Sequence, residues 1–200
     1  MKLLLFSDLH CDATAAKWLV DRAAEVDVVV GAGDFATGRC GIQLTIDILR
    51  NIDQPAIVVP GNNESCDELR EACRGWSTAC VLHGVGARIN EVDFYGLGGG
   101  IRVTPFGSWS YDFTEEQAEE LLADWPYGGV IVSHSPPHGA VDTSQERNLG
   151  SVALRTAIED KSPRLVVCGH IHESARRSET IGTTAIVNAG PHGILWTLAE

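Results

Sequence analysis

Leu3-Leu4-Leu5-Phe6, closed by Ser7-Asp8-Leu9-His10, is a short apolar run that ends in a carboxylate and an imidazole. The pattern recurs twice. Asp27 to Gly31 runs into Ala32-Gly33-Asp34, and Pro55 to Pro60 runs into Gly61-Asn62-Asn63-Glu64. Continuous apolar runs of this length suit strands buried on both faces. Between them, Thr14 to Ala24 and Gly41 to Ile52 carry apolar residues at helical spacing. The order β-α-β-α-β predicts an α/β fold with a parallel sheet and crossover helices. Ligands of such sheets sit beyond the carboxyl ends of the strands, where Asp8, Asp34 and Asn62 fall.

Further along, Ser65 to Arg74 reads as a helix, and Val85 to Ile89 and Val92 to Leu97 read as strands joined through Asn90-Glu91. Gly98-Gly99-Gly100, followed by Thr104-Pro105-Phe106-Gly107, is a long loop. Thr114 to Ala123 is a helix whose Thr114 and Gln117 form a capping box. Gly129 to His134 and Arg164 to Cys168 are strands on either side of a helix over Gly150 to Asp160. Thr180 to Asn188 and Gly193 to Leu198 are expected as a closing pair of strands. The loop from His138 to Leu149 is long enough to carry function.

Two hundred residues with 44% hydrophobic content fit one domain over 1–200 with an ample core. The longest apolar runs fall far short of a bilayer span, and Met1 leads straight into a strand-like segment, so neither leader nor anchor is read and the expected location is cytoplasmic. Six cysteines form no C-x-x-C pair, which agrees with a reducing compartment. Cys66 and Cys73 share a helix face, where core packing is the expectation and a redox pair the alternative. A formal net charge of −12 argues against a long nucleic-acid partner, because such affinity comes largely from cations neutralising phosphates. It does not exclude a small phosphorylated substrate, since divalent cations can make one region positive in an acidic protein.

Two more segments join the first three: Val132-Ser133-His134 and Gly169-His170-Ile171-His172. In an extended chain residues i and i+2 point the same way, so Asp8 pairs with His10 and His170 with His172. Each motif alone is an ordinary turn. Together, five strand ends carrying carboxylate, amide or imidazole predict one polar site with two metal ions, and hence a hydrolase.

The motifs D-x-H, G-D, G-N-x-E, S-H and G-H-x-H, in this order from residue 8 to 172, resemble those of the calcineurin-like metallophosphoesterase superfamily. Leu97-Gly98-Gly99-Gly100, Thr104-Pro105-Phe106 and Val187-Asn188-Ala189-Gly190 are similar to its short bacterial and archaeal branch. The resemblance implies a four-layer α-β-β-α sandwich, two mixed sheets flanked by helices. It implies that Asp8, His10, Asp34 and His172 hold one metal while Asp34, Asn62, His134 and His170 hold the other. Oxygen and nitrogen ligands without thiolate suit Mn²⁺, with Fe, Zn²⁺, Ni²⁺ and Mg²⁺ as alternatives.

The implied activity is a dinuclear metal-dependent phosphodiesterase acting on a small phosphoester or nucleotide, with hydroxide between the ions attacking phosphorus in line. The family's fuller pattern places histidine after the metal-binding asparagine, where this chain has Asn63. An amide is no general acid, and losing one typically removes about 10²–10⁴ in rate. His138, four residues beyond His134, is the expected partial replacement, with a solvent-exposed loop histidine as the alternative. Arg39 and Arg102 are candidates to meet phosphate, and Trp109 to face a base. The other readings are a metal-binding interaction scaffold of decayed activity and, third, a protein phosphatase. Oligomeric state is open at this stage.

Overall fold

The computed structural model describes residues 1–198. In chain order its elements begin β1 (Lys2–Phe6), α1 (Ala13–Ala23), β2 (Val28–Ala32), α2 (Ile42–Leu49), β3 (Ala56–Val59), α3 (Cys66–Ala72) and β4 (Ala79–Val81). The middle of the chain gives β5 (Val85–Ile89), β6 (Val92–Leu97), β7 (Gly100–Ile101), β8 (Asp112–Phe113), α4 (Glu115–Leu122) and β9 (Val130–Ser133). The last part gives β10 (Thr143–Ser144), β11 (Arg147–Asn148), α5 (Val152–Lys161), β12 (Leu165–Cys168), β13 (Ser178–Ile181), β14 (Thr184–Asn188) and β15 (Ile194–Thr197).

One sheet has the order β15-β1-β2-β3-β4 and the other β13-β14-β12-β9-β6-β5. Strands β1 to β4 run parallel, with β15 antiparallel on the β1 edge. The central strands of the second sheet are parallel, and β5 and β13 close its edges antiparallel. Both sheets are therefore mixed.

Strand periodicity explains the layers. Leu3 and Leu5 of β1 point between the sheets, against a layer that includes Val130, Val132, Leu165 and Val167. Leu4 and Phe6 point the other way and pack with Leu19, Ile46 and Leu69 of α1, α2 and α3. On the outer face of the second sheet, Ile131, Val166 and Ile186 meet Leu122, Leu154 and Ile158 of α4 and α5. Runs that are apolar at every position are what a strand covered on both faces requires, and each such side chain contributes about 1.5–3 kcal/mol by burial. The result is the expected four-layer α-β-β-α sandwich.

Local signals are satisfied where they were read. Thr114 N–H donates to Gln117 Oε1 (2.9 Å) and Gln117 N–H to Thr114 Oγ (3.3 Å). Cys66 and Cys73 are buried and all six cysteines are unpaired thiols. No helix is long and apolar enough to cross a membrane among the described residues.

The closing strands differ from expectation. Thr180 to Asn188 is not one strand: Gly182, at φ +58°, turns the chain so that β13 and β14 form a hairpin. Nor does the segment pair with the last strand, since β14 lies beside β12 and β15 beside β1. Alternation along a sequence reports which faces are buried, and both sheets offered an edge to cover.

Candidate metal centre

The motif residues converge at the carboxyl ends of β1, β2, β9 and β12 and just beyond β3. The convergence is not achieved by extended backbone. Asp8, His10, Asp34 and His170 all have left-handed backbone, with φ of 56°, 45°, 59° and 66°. The alternation argument for Asp8 with His10, and for His170 with His172, therefore assumed an extended backbone that these residues do not have. Such conformations cost of order 1–3 kcal/mol each and persist only where surrounding bonds over-determine them. Those bonds are present: Asp8 N–H donates to Gly33 O (2.9 Å), His10 N–H to Asp34 O (3.0 Å), and His170 N–H to both oxygens of Asp8 (3.0 and 3.2 Å).

Two sets of side chains flank the Asp34 carboxylate. Oδ2 lies 3.5 Å from His10 Nε2, and Oδ1 lies 3.5 Å from His134 Nε2. His10 Nε2 is also 3.2 Å from His172 Nε2, which is 3.5 Å from Asp8 Oδ1. On the other side His134 Nε2 is 3.2 Å from Asn62 Oδ1, and the His134 and His170 rings are 4.9 Å apart between centroids. Donor atoms of Asp8, His10 and His172 lie within 4.8 Å of one another, as do those of Asp8, Asp34 and His134.

The tautomers show what the arrangement calls for. His10 Nδ1 faces Ala36 O (3.2 Å) and His134 Nδ1 faces Ala32 O (2.8 Å). A carbonyl must be met by N–H, so in the neutral rings each Nε2 presents a lone pair to carboxylate or amide oxygen. Converging acceptors need a cation between them, and a ligating histidine typically anchors its other nitrogen in this way. Burial opposes a charge on His134, but the Asp34 and Asp8 carboxylates beside it outweigh burial and hold its imidazole above the ordinary value. Burial alone would raise Asp8; the bond from His172, the charge of His134 and the bond from Ser7 Oγ (2.5 Å) instead hold it at about 2. The ring of His170 is pushed down to about 3, by desolvation first and then by His134. The set fits divalent cations that accept mixed oxygen and nitrogen ligands.

Asn63 does not face the cavity as a free donor. Its N–H donates to Asp34 Oδ1 (2.9 Å), its amide Nδ2 to Asp34 Oδ2 (2.7 Å), and its Oδ1 accepts from Gly38 N–H (2.7 Å). It restrains the Asp34 carboxylate. His138 is not brought to this cluster: it neither lines the cavity nor exchanges a hydrogen bond with any residue named above. After Pro136-Pro137 its backbone N–H donates to Ser151 O at the start of α5 (2.9 Å), and its carbonyl accepts from Arg155 (3.2 Å). Arg39 is engaged by Glu68 (2.8 Å), whereas Arg102 lines the cavity and has no ion pair among the described residues. His83 accepts from Gly98 N–H (3.0 Å) and packs near Tyr111 and Phe113, a structural role.

Glu64, quoted in the motif but given no task there, holds the loop together. Oε1 accepts from Asp34 N–H (2.9 Å) and Gly61 N–H (2.6 Å), and Oε2 from Ala36 N–H (2.9 Å). Burial, then the Asp34 charge, raise its carboxyl to about 7. A carboxyl raised on folding adds stability below its ordinary range near 4.5 and loses it as pH rises toward 7. Glu64→Gln is therefore expected to remove a fall in the stability of the metal-free protein between those values, visible as a smaller wild-type-minus-variant difference in urea midpoint at pH 7.5 than at pH 5. In addition its amide would meet an N–H head on, and a roughly 10–100-fold weaker metal affinity is expected by titration.

Of the candidate metal-binding residues, His10, Asp34, Asn62, His170 and His172 floor a cavity of about 550 Å³ whose other walls come from the loop between β7 and β8, Ser144 and Leu149 of the β10–β11 region, and Ile171. Its base is wired to the floor: Asn62 Nδ2 donates to Ser110 Oγ (2.9 Å), which donates to Asp112 Oδ1 (2.7 Å). No spacing in the sequence signalled Ser110 or Asp112, because the link crosses between separate loops.

Comparison with known proteins agrees with this geometry. The model of the calcineurin-like phosphoesterase superfamily domain matches residues 1–199. An uncharacterized protein of Methanocaldococcus jannaschii is 32% identical over 96% of this chain and 88% of its own length. Among solved structures, TT1561 of Thermus thermophilus superposes with a TM-score of 0.76 at 18% identity, covering 94% of this chain and 88% of that one. A dimetal phosphatase from Danio rerio gives a TM-score of 0.60 at 14% identity, covering 96% and 90%. With two facing mixed sheets, converging acceptors at their carboxyl ends and a family match across nearly its whole length, the chain belongs to the calcineurin-like phosphoesterase superfamily.

Proposed function

We propose that this protein is a metal-dependent phosphodiesterase that hydrolyses a small phosphoester, with two divalent cations, Mn²⁺ first among them, held on either side of Asp34. The carrying observation is the convergence of His10 and His134 on the two oxygens of one carboxylate. Asp8, His10, Asp34 and His172 are the ligands of one ion, and Asp34, Asn62, His134 and His170 those of the other. The chemistry supplied by such a pair is polarisation of phosphoryl oxygens and a lowered pKa for water.

The chain's own residues do the positioning. Asn63 and Glu64 restrain Asp34 through its side chain and its backbone. Arg102, which lines the cavity, would hold a phosphate oxygen by a charge-assisted bond. Because Asn63 spends its amide on Asp34 and has no acidic proton, a leaving group must depart without help from that position. Diesters with good leaving groups are accordingly the preferred substrates.

The test is hydrolysis of bis-p-nitrophenyl phosphate by the metal-stripped and the Mn²⁺-reloaded protein. Turnover absent after stripping and restored on reloading is expected. No turnover with two ions bound per chain would replace this reading by a binding scaffold.

A further inference from the structure

The rim of the cavity is apolar in a way its floor does not require. Val103, Phe106, Trp109 and Leu149 all line it and are 64%, 53%, 39% and 38% exposed. Scattered exposed apolar side chains are ordinary, but a group of them around the mouth of a polar site marks a recognition surface. Phe106 and Trp109 are stacked, with ring centroids 5.8 Å apart and planes at 18°, and still leave ring surface open.

This surface is held rigidly relative to the metal-binding floor. The Asp112 carboxylate accepts from Thr104 N–H (2.8 Å), Thr104 Oγ (2.6 Å) and Ser110 Oγ (2.7 Å), and Ser110 Oγ accepts from Asn62. Arg39 Nη1 donates to Trp109 O (3.4 Å) while its Nη2 is paired with Glu68. The loop is thus pinned at Thr104 and Trp109, on both sides of Phe106. A pinned aromatic face suits a flat, rigid partner whose faces are apolar.

We infer that the Phe106–Trp109 face is a base-binding subsite, so that the substrate is a nucleotide whose base stacks there while its phosphate meets the floor near Arg102 and Asp34. This rests on the phosphoesterase reading and narrows it. The cavity, about 550 Å³, lies in the range for small ligands. The net charge of −12 disfavours a polynucleotide continuing beyond it. Stacking requires no hydrogen-bond pattern on the base edge, so all bases are bound, with purines favoured by their larger face.

Calorimetric titration of the Mn²⁺-loaded protein with AMP and with ribose 5-phosphate isolates the base, since the two share sugar and phosphate. AMP is expected to bind at least about tenfold more tightly. The ratio should collapse to within about twofold in the Phe106→Ala, Trp109→Ala double variant and be largely kept in Trp109→Phe, which retains a ring. A wild-type melting temperature in each variant excludes unfolding as the cause. Equal affinities in wild type, or a ratio that survives the double substitution, would overturn the subsite and leave the rim as a contact for a macromolecule. Turnover of bis-p-nitrophenyl phosphate without base preference removes this inference alone. Base preference without turnover removes the hydrolytic reading and keeps the subsite.

Discussion

Asp34→Asn is expected to lower Mn²⁺-dependent hydrolysis of bis-p-nitrophenyl phosphate by at least about 10³-fold. Both oxygens of Asp34 are committed, one toward His10 and one toward His134, and each also accepts from Asn63. An asparagine there offers one acceptor instead of two, and its NH₂ must face either Asn63 N–H or Asn63 Nδ2, donor against donor. It also removes the negative charge that both proposed ion positions share. Several kcal/mol of transition-state stabilisation depend on such a pair, and each 1.36 kcal/mol is tenfold in rate. The backbone bonds of Asp34 to His10 and Glu64 do not involve its side chain, so the fold should survive. Binding of one ion per chain in place of two, measured by elemental analysis beside the rates, would agree with a bridging role. Undiminished turnover would remove Asp34 from the site.

Gly61→Ala is the second large effect. A Cβ at residue 61 would fall on Asp34 Oδ1 and on the Asp34 backbone nitrogen, closer than side-chain carbons approach such atoms. The backbone nitrogen cannot rotate aside, because it is held by Glu64 Oε1. Gly33, at φ +89°, lies directly against the Gly61 backbone, so the segment has no room to retreat in that direction either. The loop must move by a sizeable fraction of an ångström. A displacement of about 1 Å at a reacting centre can cost 10²-fold in rate, and overpacking typically destabilises by about 1–3 kcal/mol. An activity loss of about 10² with a lowered melting temperature is expected. A variant that kept full kcat and stability would show that the Asp34 loop is far more compliant than its bonds indicate.

The sequence carried much of this protein openly. Apolar runs at β1, β2 and β3, each ended by polar residues, were enough for a parallel α/β core. The spacing of D-x-H, G-D, G-N-x-E, S-H and G-H-x-H was enough for the family. Contacts that cross between loops were not legible. His138 sits four residues from His134 and yet does not line the cavity, its backbone being tied to Ser151 at the start of α5. Nor does the sequence show that Asn63, which stands where the family's fuller pattern has histidine, spends its amide on Asp34 and Gly38.

The division has a physical cause. Which faces are buried and which residue types can bind a cation are properties of the chain itself, because periodicity and side-chain chemistry need no partner to be read. By itself the sequence determined the parallel α/β core, its covered faces and the residue types offered to a cation. Only the tertiary structure decided that Asp8, Asp34 and His170 turn left-handed to face one another, that Glu64 and Asn63 brace Asp34, and that Phe106 and Trp109 stand above the floor. Those outcomes depend on contacts between loops that are separate in the chain, and such contacts exist only after the strands that carry them have assembled.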